Sequence, residues 1–475
     1  MLTVMAETID RSSGSAPLAL TPGAEKAFDE LQQSHCSPWV CDELRRIITS
    51  GTDLDCYKIN AVRVAKSVGV TAPESLRTFL FATRLGILDL NYDIYCPACQ
   101  GTTDYSKQLM GLTNTGHCDL CVLDFAVDFF EQVEVTFTVN PDIRQIEVID
   151  FSQRDKAGQF DYLNAILSRE GRQPLMAELF EPGQTKTLQG ELAAGNYLCY
   201  LPVPYDSATV LSVEGQAAAS PQSLDITARP DGEMIPERIE LNPGPVEIAI
   251  HYELADARPI QVLPRGAPAN WLSAAYVTSQ QDYRDLFAGE FLAPGMTFAI
   301  RNTTLMFTDI ERSTELFEEL GDSAAYALVQ DHFAIMTDII RAHQGGVVKT
   351  IGDAVMAAFP VNRKAVAAAW NIQRSFLRRP IQGRYIGIKI GVHRGPVIAV
   401  TSNRNLDYFG RTVNIASRIG SQCKANQILL SDPVLDDSRV QTVLADLGAS
   451  ITSFVTSLRG IEDEIQVHAI APRSS

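Results

Sequence analysis

The sequence predicts a multidomain α+β chain. Three observations point there: helical periodicity in the first hundred residues, short alternating strands in the middle, and a strand–helix–hairpin order in the last third. At 475 residues the chain is too long for one hydrophobic core, and two to four domains are expected. The expected boundaries are a flexible segment at 1–35, a helical, helix-turn-helix-like domain (winged in outline) at 36–93 and a zinc-ribbon segment at 94–130. An antiparallel β domain of sandwich type at 131–257, a connector with a short helix at 258–298 and a C-terminal domain at 299–475 complete the order.

Composition bounds the environment. A formal net charge of −17 argues against a broad surface for nucleic acid or anionic lipid. No run of eighteen apolar residues occurs, so no membrane span is expected. The start, MLTVMAETIDRSSGS, lacks a basic segment followed by an apolar one and does not read as a secretory signal. Nine cysteines, an odd number with four in CxxC pairs, suggest a reducing compartment, and the expected location is cytoplasmic.

The first helical pattern runs over Ala24–Gln33, and a second over Pro38–Leu90 is punctuated at Gly51-Thr52-Asp53 and Gly69–Pro73. The stretch VRVAKSVGVTAPESLRTFLFATRLGILDL gives two helices around a glycine turn, then an extended exit, the outline of a helix-turn-helix. Small helical bundles share that outline. The second helix offers only Arg77 and Arg84 as cations, a thin grip on phosphate, so nucleic acid is not the expected partner.

Next, Cys96-x-x-Cys99 and Cys118-x-x-Cys121 form two knuckles whose four thiolates can complete a tetrahedral site, the spacing of a zinc ribbon. Four sulfur ligands leave no open position for a substrate, so the expected Zn2+ is structural; His117 stands beside one knuckle but is not needed. From Val133 to Tyr252 the texture alternates, with VEVTFTVNP, TKTLQGELAAGNYLCYL and GPVEIAIHYEL separated by Pro, Gly and Asn. Several short strands at this spacing suggest an antiparallel sandwich or barrel, with Cys199 in its core and no catalytic grouping. A helix is expected at Val277–Phe287.

The chemistry concentrates in the last third. In TLMFTD (Thr304–Asp309), Leu305, Phe307 and Asp309 share one strand face, and Asp309 stands where the strand ends. An amphipathic helix follows through Val329, Phe333, Met336 and Ile340, ended by Gly345-Gly346. Then VVKTIGDAVMAAF reads as a hairpin, with Val347, Val348, Ile351, Val355, Met356 and Phe359 assigned to a core and Gly352-Asp353 to the turn. Such an order brings Asp309 near Asp353. Two buried carboxylates repel unless a cation lies between them, and oxygen-only ligation favours Mg2+ or Mn2+. Lys389 sits inside the strand YIGIKIGVHRGPVIAV, and Asn414 and Arg418 lie one helical turn apart in LDYFGRTVNIASRI.

Taken together, LMFTDIERST, GGVVKTIGDAVMAAF, IKIGVHRGPV and LDYFGRTVNIASRI resemble the catalytic domain of class III adenylate and guanylate cyclases over about residues 302–470. The upstream part is similar, more loosely, to an uncharacterised module found ahead of such domains in bacterial proteins. The resemblance implies a ferredoxin-like domain acting as a head-to-tail homodimer with active sites at the interface. It implies two Mg2+ or Mn2+ ions per site held by Asp309, Ile310 and Asp353, and ATP as substrate. The base would be read by Lys349 and Asp407, a pair suited to adenine, and the ribose and transition state would be held by Asn414 and Arg418. Phosphates would be met by Phe307, Ser313 and Thr314 around the first strand's end, by Lys389, and by Arg459 in LRGIEDEIQVHAI. The expected activity is conversion of ATP to 3′,5′-cyclic AMP and pyrophosphate, with the front part regulatory and its ligand or protein partner unspecified. The alternatives are a guanylate cyclase, or an inactive cyclase-like dimerisation platform in a ligand-sensing or DNA-binding regulator. Arg312 departs from the family, which commonly has glycine at that place.

Overall fold

The computed structural model describes residues 18–34, 36–97, 101–118, 123–147, 174–201, 207–264, 270–461 and 464–472. Helices α1 (Pro22–Gln33), α2 (Pro38–Ser50), α3 (Ala61–Val68) and α4 (Ala72–Arg84) precede β1 (Leu88–Tyr95). Three of the four start on a side-chain cap: Thr21, Asn60 and Thr71 accept first-turn N–H groups of α1, α3 and α4. Within the segment expected to be flexible, residues 1–17 lie outside the described residues, whereas α1 is anchored by buried Ala24, Phe28 and Leu31.

β2 (Thr102–Ser106), a 3-10 turn at Leu109–Gly111, β3 (Thr115–Cys118), β4 (Leu123–Ala126) and β5 (Val133–Val139) follow. β1 is flanked by β2 and β5, both antiparallel, and β3 pairs with β4. The strand expected to open the β domain, β5, therefore belongs with the helices. Six of its seven residues are buried, because both of its faces are covered. The helix that would have read DNA is packed as well: Ser75, Leu76, Thr78, Phe79, Leu80 and Ala82 of α4 are buried, and Arg77 pairs with Asp282 at 3.8 Å.

The next unit comprises β6 (Met176–Phe180), β7 (Thr185–Leu192), β8 (Gly195–Leu201), β9 (Ser207–Val213), β10 (Gln222–Ala228), β11 (Met234–Ile235), β12 (Arg238–Leu241), β13 (Gly244–Tyr252) and β14 (Arg258–Pro264). They form two sheets, ordered β11-β10-β13-β7 and β12-β9-β8-β14-β6, around one core that includes Leu188, Ile226, Ile248, Cys199, Leu211 and Val262. Strict alternation of burial along β13 reflects one face turned to that core. Two points correct the expectation. The β10–β13 and β12–β9 pairings are parallel, and β14, placed in the connector by the sequence pattern, is a sheet strand between β8 and β6.

After it come α5 (Ala274–Thr278) and α6 (Gln281–Leu286), two short helices broken at Ser279-Gln280 in place of the one expected. The last unit contains β15 (Phe298–Ile310), α7 (Ser313–Leu320), α8 (Asp322–Ala342), β16 (Gly346–Ile351), β17 (Ala354–Phe359), α9 (Asn362–Arg378), β18 (Ile388–Ser402) and β19 (Asn405–Phe409). It closes with α10 (Arg411–Gln422), β20 (Ile428–Ser431), α11 (Asp432–Leu435), α12 (Ser438–Asp446), β21 (Ala449–Ser457) and β22 (Glu464–Pro472). Its sheet runs β16-β17-β15-β18-β20-β22-β21, with β19 also on β18.

Successive residues of β15 serve opposite faces. Met306 joins Met336, Ile340, Trp370 and Ile390 beneath α8 and α9. Leu305 and Phe307 join a core that continues through Met356, Ala399 and Tyr408 into Leu272, Phe129, Val135 and Phe79 of the front part. Phe129 and Phe298 meet at 5.1 Å between ring centres across that junction. The catalytic-type sheet and the front module thus share one core. No helix among the described residues is long and apolar enough to cross a membrane.

Candidate active site

The hairpin forms as the pattern demands, with one correction. Val355, Met356 and Phe359 are buried, but Ile351 is 52% exposed. β16 is the outer strand of the sheet, and a register shift between Val347 and Lys349 slips its alternation by one residue. Beyond the bulge Lys349 lies opposite Met356, and the chain turns at Gly352-Asp353.

Asp309, near the end of the β15 ladder, is cross-strand partner to Lys389 of β18, with Nζ 3.6 Å from its carboxylate. The Ile310 N–H donates to Asp353 Oδ2 at 3.1 Å, which ties the hairpin turn to the end of β15. Burial and then the neighbouring Asp353 push the Asp309 carboxyl above its ordinary value, with Lys389 pulling the other way. Asp309 thus has one like-charged neighbour, Asp353, and one lysine, Lys389. This donor set fits a hard divalent cation, which commonly binds through one or two carboxylates and completes its shell with water and substrate phosphate. No group of three or more His, Cys, Asp or Glu ligands occurs among the described residues.

At the other end of the hairpin, Lys349 Nζ donates to Asp407 Oδ2 at 2.6 Å, and the Tyr408 N–H donates to Asp407 Oδ1 at 2.8 Å. Asp407 is buried while Lys349 is partly exposed. Helix α10 lies directly on β18, because glycines meet at the crossing: a Cβ on Gly391 would stand 2.3 Å from Gly420 N. That contact seats Ile415, Ala416 and Ile419 inward, and Asn414 and Arg418, one turn apart, on the exposed side.

Arg312 occupies a left-handed conformation, φ 54° and ψ 39°, immediately before α7. This explains why glycine suits the position, and the arginine side chain is exposed beside Glu315 at 3.7 Å. Ser313 and Thr314 open α7, half-buried and exposed respectively, with no side-chain cap on its first turn. Phe307 is packed rather than open: it lies under α10, where a Cβ on Gly420 would be 3.3 Å from it. Arg459 stands exposed in the turn after β21, and no contact brings it to the other residues of the set among the described residues.

One further arginine is not singled out by any motif. Arg284 of α6 donates to Leu406 O at 3.2 Å and lies over the Tyr408 ring, the two neighbours of Asp407. Only its place in the sequence, inside a short helix of mixed polarity, was available as a signal. Of the expected zinc ligands, Cys96 and Cys118 are buried in one cluster with Tyr200, while Cys99 and Cys121 lie outside the described residues.

The model for the adenylate and guanylate cyclase catalytic domain matches residues 298–450. Among curated relatives, an adenylate cyclase of Lachancea kluyveri is 35% identical over 163 residues, covering 30% of this chain and 9% of its own length. An uncharacterized protein of Mycobacterium tuberculosis is 29% identical over 191 residues, covering 39% of this chain and 47% of its own. The chain thus spans about a tenth of the fungal relative's length and about half of the mycobacterial one's. The solved adenylyl cyclase CyaB from P. aeruginosa is 25% identical, with a TM-score of 0.31, covering 38% of this chain and 97% of that one. Residues 22–265 match the model described as a family of unknown function (DUF5939), more than half of the 475 residues. The chain belongs to that family, and it carries an adenylate and guanylate cyclase catalytic domain behind the family's module.

Proposed function

We propose that the protein is an adenylate cyclase that converts ATP to 3′,5′-cyclic AMP and pyrophosphate in a site shared by two copies of the chain. The observation that carries this reading is the pair Asp309 and Asp353, held side by side with Lys389 as the cation beside them. Asp309, Asp353 and the Ile310 backbone would hold Mg2+ or Mn2+. Bound there, a divalent ion would acidify the ribose 3′-hydroxyl and neutralise charge on the departing pyrophosphate. The 3′-oxygen forms the new bond to the α-phosphorus, the bond from that phosphorus to the bridging oxygen breaks, and the hydroxyl proton is released.

The chain's own groups orient these partners. Lys389 stays beside the acids to meet phosphate oxygens, and the uncapped first turn of α7, at Ser313 and Thr314, offers N–H donors to them. Lys349 donates to adenine N1 and Asp407 accepts from its 6-amino group, a pattern that guanine reverses. Asn414 orients the ribose and Arg418 stabilises charge developing on the α-phosphate. In one protomer these two side chains face outward, which supports their action on a nucleotide held by a second copy. Arg459 is the remaining candidate for phosphate.

Purified protein incubated with ATP and Mn2+ should accumulate cyclic AMP, more than with GTP, while Asp309→Ala should fall by at least about a thousandfold, some 4 kcal/mol of barrier. No product above that control ends the reading. Mixing Asp309→Ala with Arg418→Ala should restore activity, because one of the two hybrid sites is then complete. A structural Zn2+ on Cys96, Cys99, Cys118 and Cys121 and a cytoplasmic location belong to the same proposal. Metal analysis should find about one zinc per chain, and metal-free folded protein would end the zinc reading.

A further inference from the structure

Resting on that reading, we infer that Arg284, outside the catalytic domain, is the positioning residue for the Lys349–Asp407 base-reading pair, and that α6 is the wedge through which the front module acts on it.

The elements carrying the two readers, β16 and β19, do not hold each other alone. β16 is the outermost strand, and β19 pairs only with the end of β18. The Lys349–Asp407 bond therefore spans two elements whose spacing must be set by something else. α6 and the turn before it touch both. On the β16 side, Gln281 accepts from the Val347 N–H at 2.7 Å and its own N–H donates to Gly345 O at 3.1 Å. A Cβ on Gly346 would lie 2.4 Å from Ser279 O and 3.0 Å from Arg284 Cδ, so the strand start and the connector are in direct backbone contact. On the β19 side, Arg284 donates to Leu406 O at 3.2 Å and reaches the Tyr408 hydroxyl at 3.5 Å, with the guanidinium 5.7 Å from that ring's centre. One side chain thus sits between the strand that carries Lys349 and the residues on either side of Asp407. A guanidinium suits this place, since it offers several donors in a fixed plane and an aromatic-stacking face, where an ammonium offers neither.

The same helix is gripped by the front module. Tyr283 and Tyr92 of β1 share a hydroxyl hydrogen bond at 2.5 Å, both rings being buried. Asp282 meets Arg77 of α4 at 3.8 Å and Arg341 of α8 at 3.4 Å, and Asp285 meets Arg341 at 2.5 Å. A shift of β1 or α4 would move α6, and with it the distance between the two readers. This differs from a merely structural role, because what it sets is the register of a donor and an acceptor against the base.

The test is steady-state kinetics with ATP and GTP on the full chain, for wild type, Arg284→Lys and Arg284→Gln, with thermal melting as the check of folding. Arg284→Gln should raise the KM for ATP about tenfold and shrink the ATP-over-GTP ratio of kcat/KM by a similar factor, with kcat for ATP within about threefold of wild type. Arg284→Lys, which keeps the charge and the stem, should shift both in the same direction by a smaller factor, and it serves if the glutamine variant does not fold. Tyr92→Phe should lower selectivity about two- to threefold through α6. A folded Arg284 variant with wild-type KM and wild-type selectivity overturns the inference while leaving the cyclase reading intact. A uniform loss of kcat with selectivity kept also overturns it, in favour of plain stability. Wild-type protein that cyclises neither nucleotide overturns the cyclase reading and this inference together.

Discussion

At the end of β15, Asp309 has Asp353 as a like-charged neighbour and Lys389 at 3.6 Å, whereas across β16 and β19 Lys349 and Asp407 form a one-to-one pair at 2.6 Å. The two groups share one hairpin, through Asp353 in its turn and Lys349 on β16, and use the same side-chain types. At the first, excess negative charge remains, burial and a like-charged neighbour push Asp309 up, and the arrangement is poised for a cation. At the second, the charges are already matched and the buried carboxylate also accepts from a backbone N–H. Under the proposed function, a cation at the first group would relieve repulsion, whereas a base at the second would exchange one hydrogen-bond partner for another.

The largest effect is expected at Asp309 and Asp353. Mn2+ at about a hundred times its dissociation constant should stabilise wild-type protein by about 2.7 kcal/mol and raise its melting temperature. Asp309→Asn or Asp353→Asn should abolish that shift. Equal shifts in wild type and variants would place the ion elsewhere. The same Asp309→Asn protein sharpens the electrostatic half. Because the Asp309 proton is held more tightly in the folded chain than at the ordinary value of 3.8, its contribution to stability is fully present below that value. It is lost as pH rises through the raised folded value. Asp309→Asn should therefore flatten that decline in a melting series from about pH 3.5 upward, and an unchanged profile would count against the raising of Asp309 by burial and by Asp353.

At the base end, Lys349→Met leaves Asp407 buried beside only its backbone donor, and should cost about 1–2 kcal/mol of stability, less than a fully buried pair because Lys349 is partly exposed. Adding Asp407→Asn should recover part of that loss, so denaturant unfolding of both single variants and the double should give non-additive costs. Additive costs would mean that the 2.6 Å contact contributes nothing. The smallest effect lies just past β15: Arg312→Gly removes a left-handed arginine and should stabilise by about 1 kcal/mol, read from the same unfolding curves, with no loss of nucleotide turnover.

Much of the candidate site was legible because its residues are tied to local signals. Asp309 is where an alternating strand runs out, Asp353 is in a Gly-Asp turn, and Asn414 with Arg418 follows helical spacing. Burial of Val355, Met356 and Phe359 was legible for the same reason. Ile351 was misplaced because a bulge in an edge strand shifts the alternation by one residue, and bulges have no reliable signature in an apolar run. The parallel β10–β13 and β12–β9 pairings were missed because alternation reports which face is buried and not which strand lies alongside. β5 was assigned to the wrong unit on similar grounds, since its composition suits any sheet.

By itself the chain order determined the local elements and the place of Asp309, Asp353, Asn414 and Arg418 along strand, turn or helix, because these follow from backbone periodicity and turn chemistry over a few residues. The pairing of Lys349 with Asp407, by contrast, was implied only by the resemblance to the cyclase catalytic domain. Tertiary structure alone decided that Lys389 falls beside Asp309, that Lys349 reaches Asp407 in a distant part of the chain, and that Arg284 stands next to both readers' strands. It also decided that front module and catalytic sheet share a core. Those facts depend on which surfaces bury each other, and burial is a property of the whole folded chain that no short window of sequence contains.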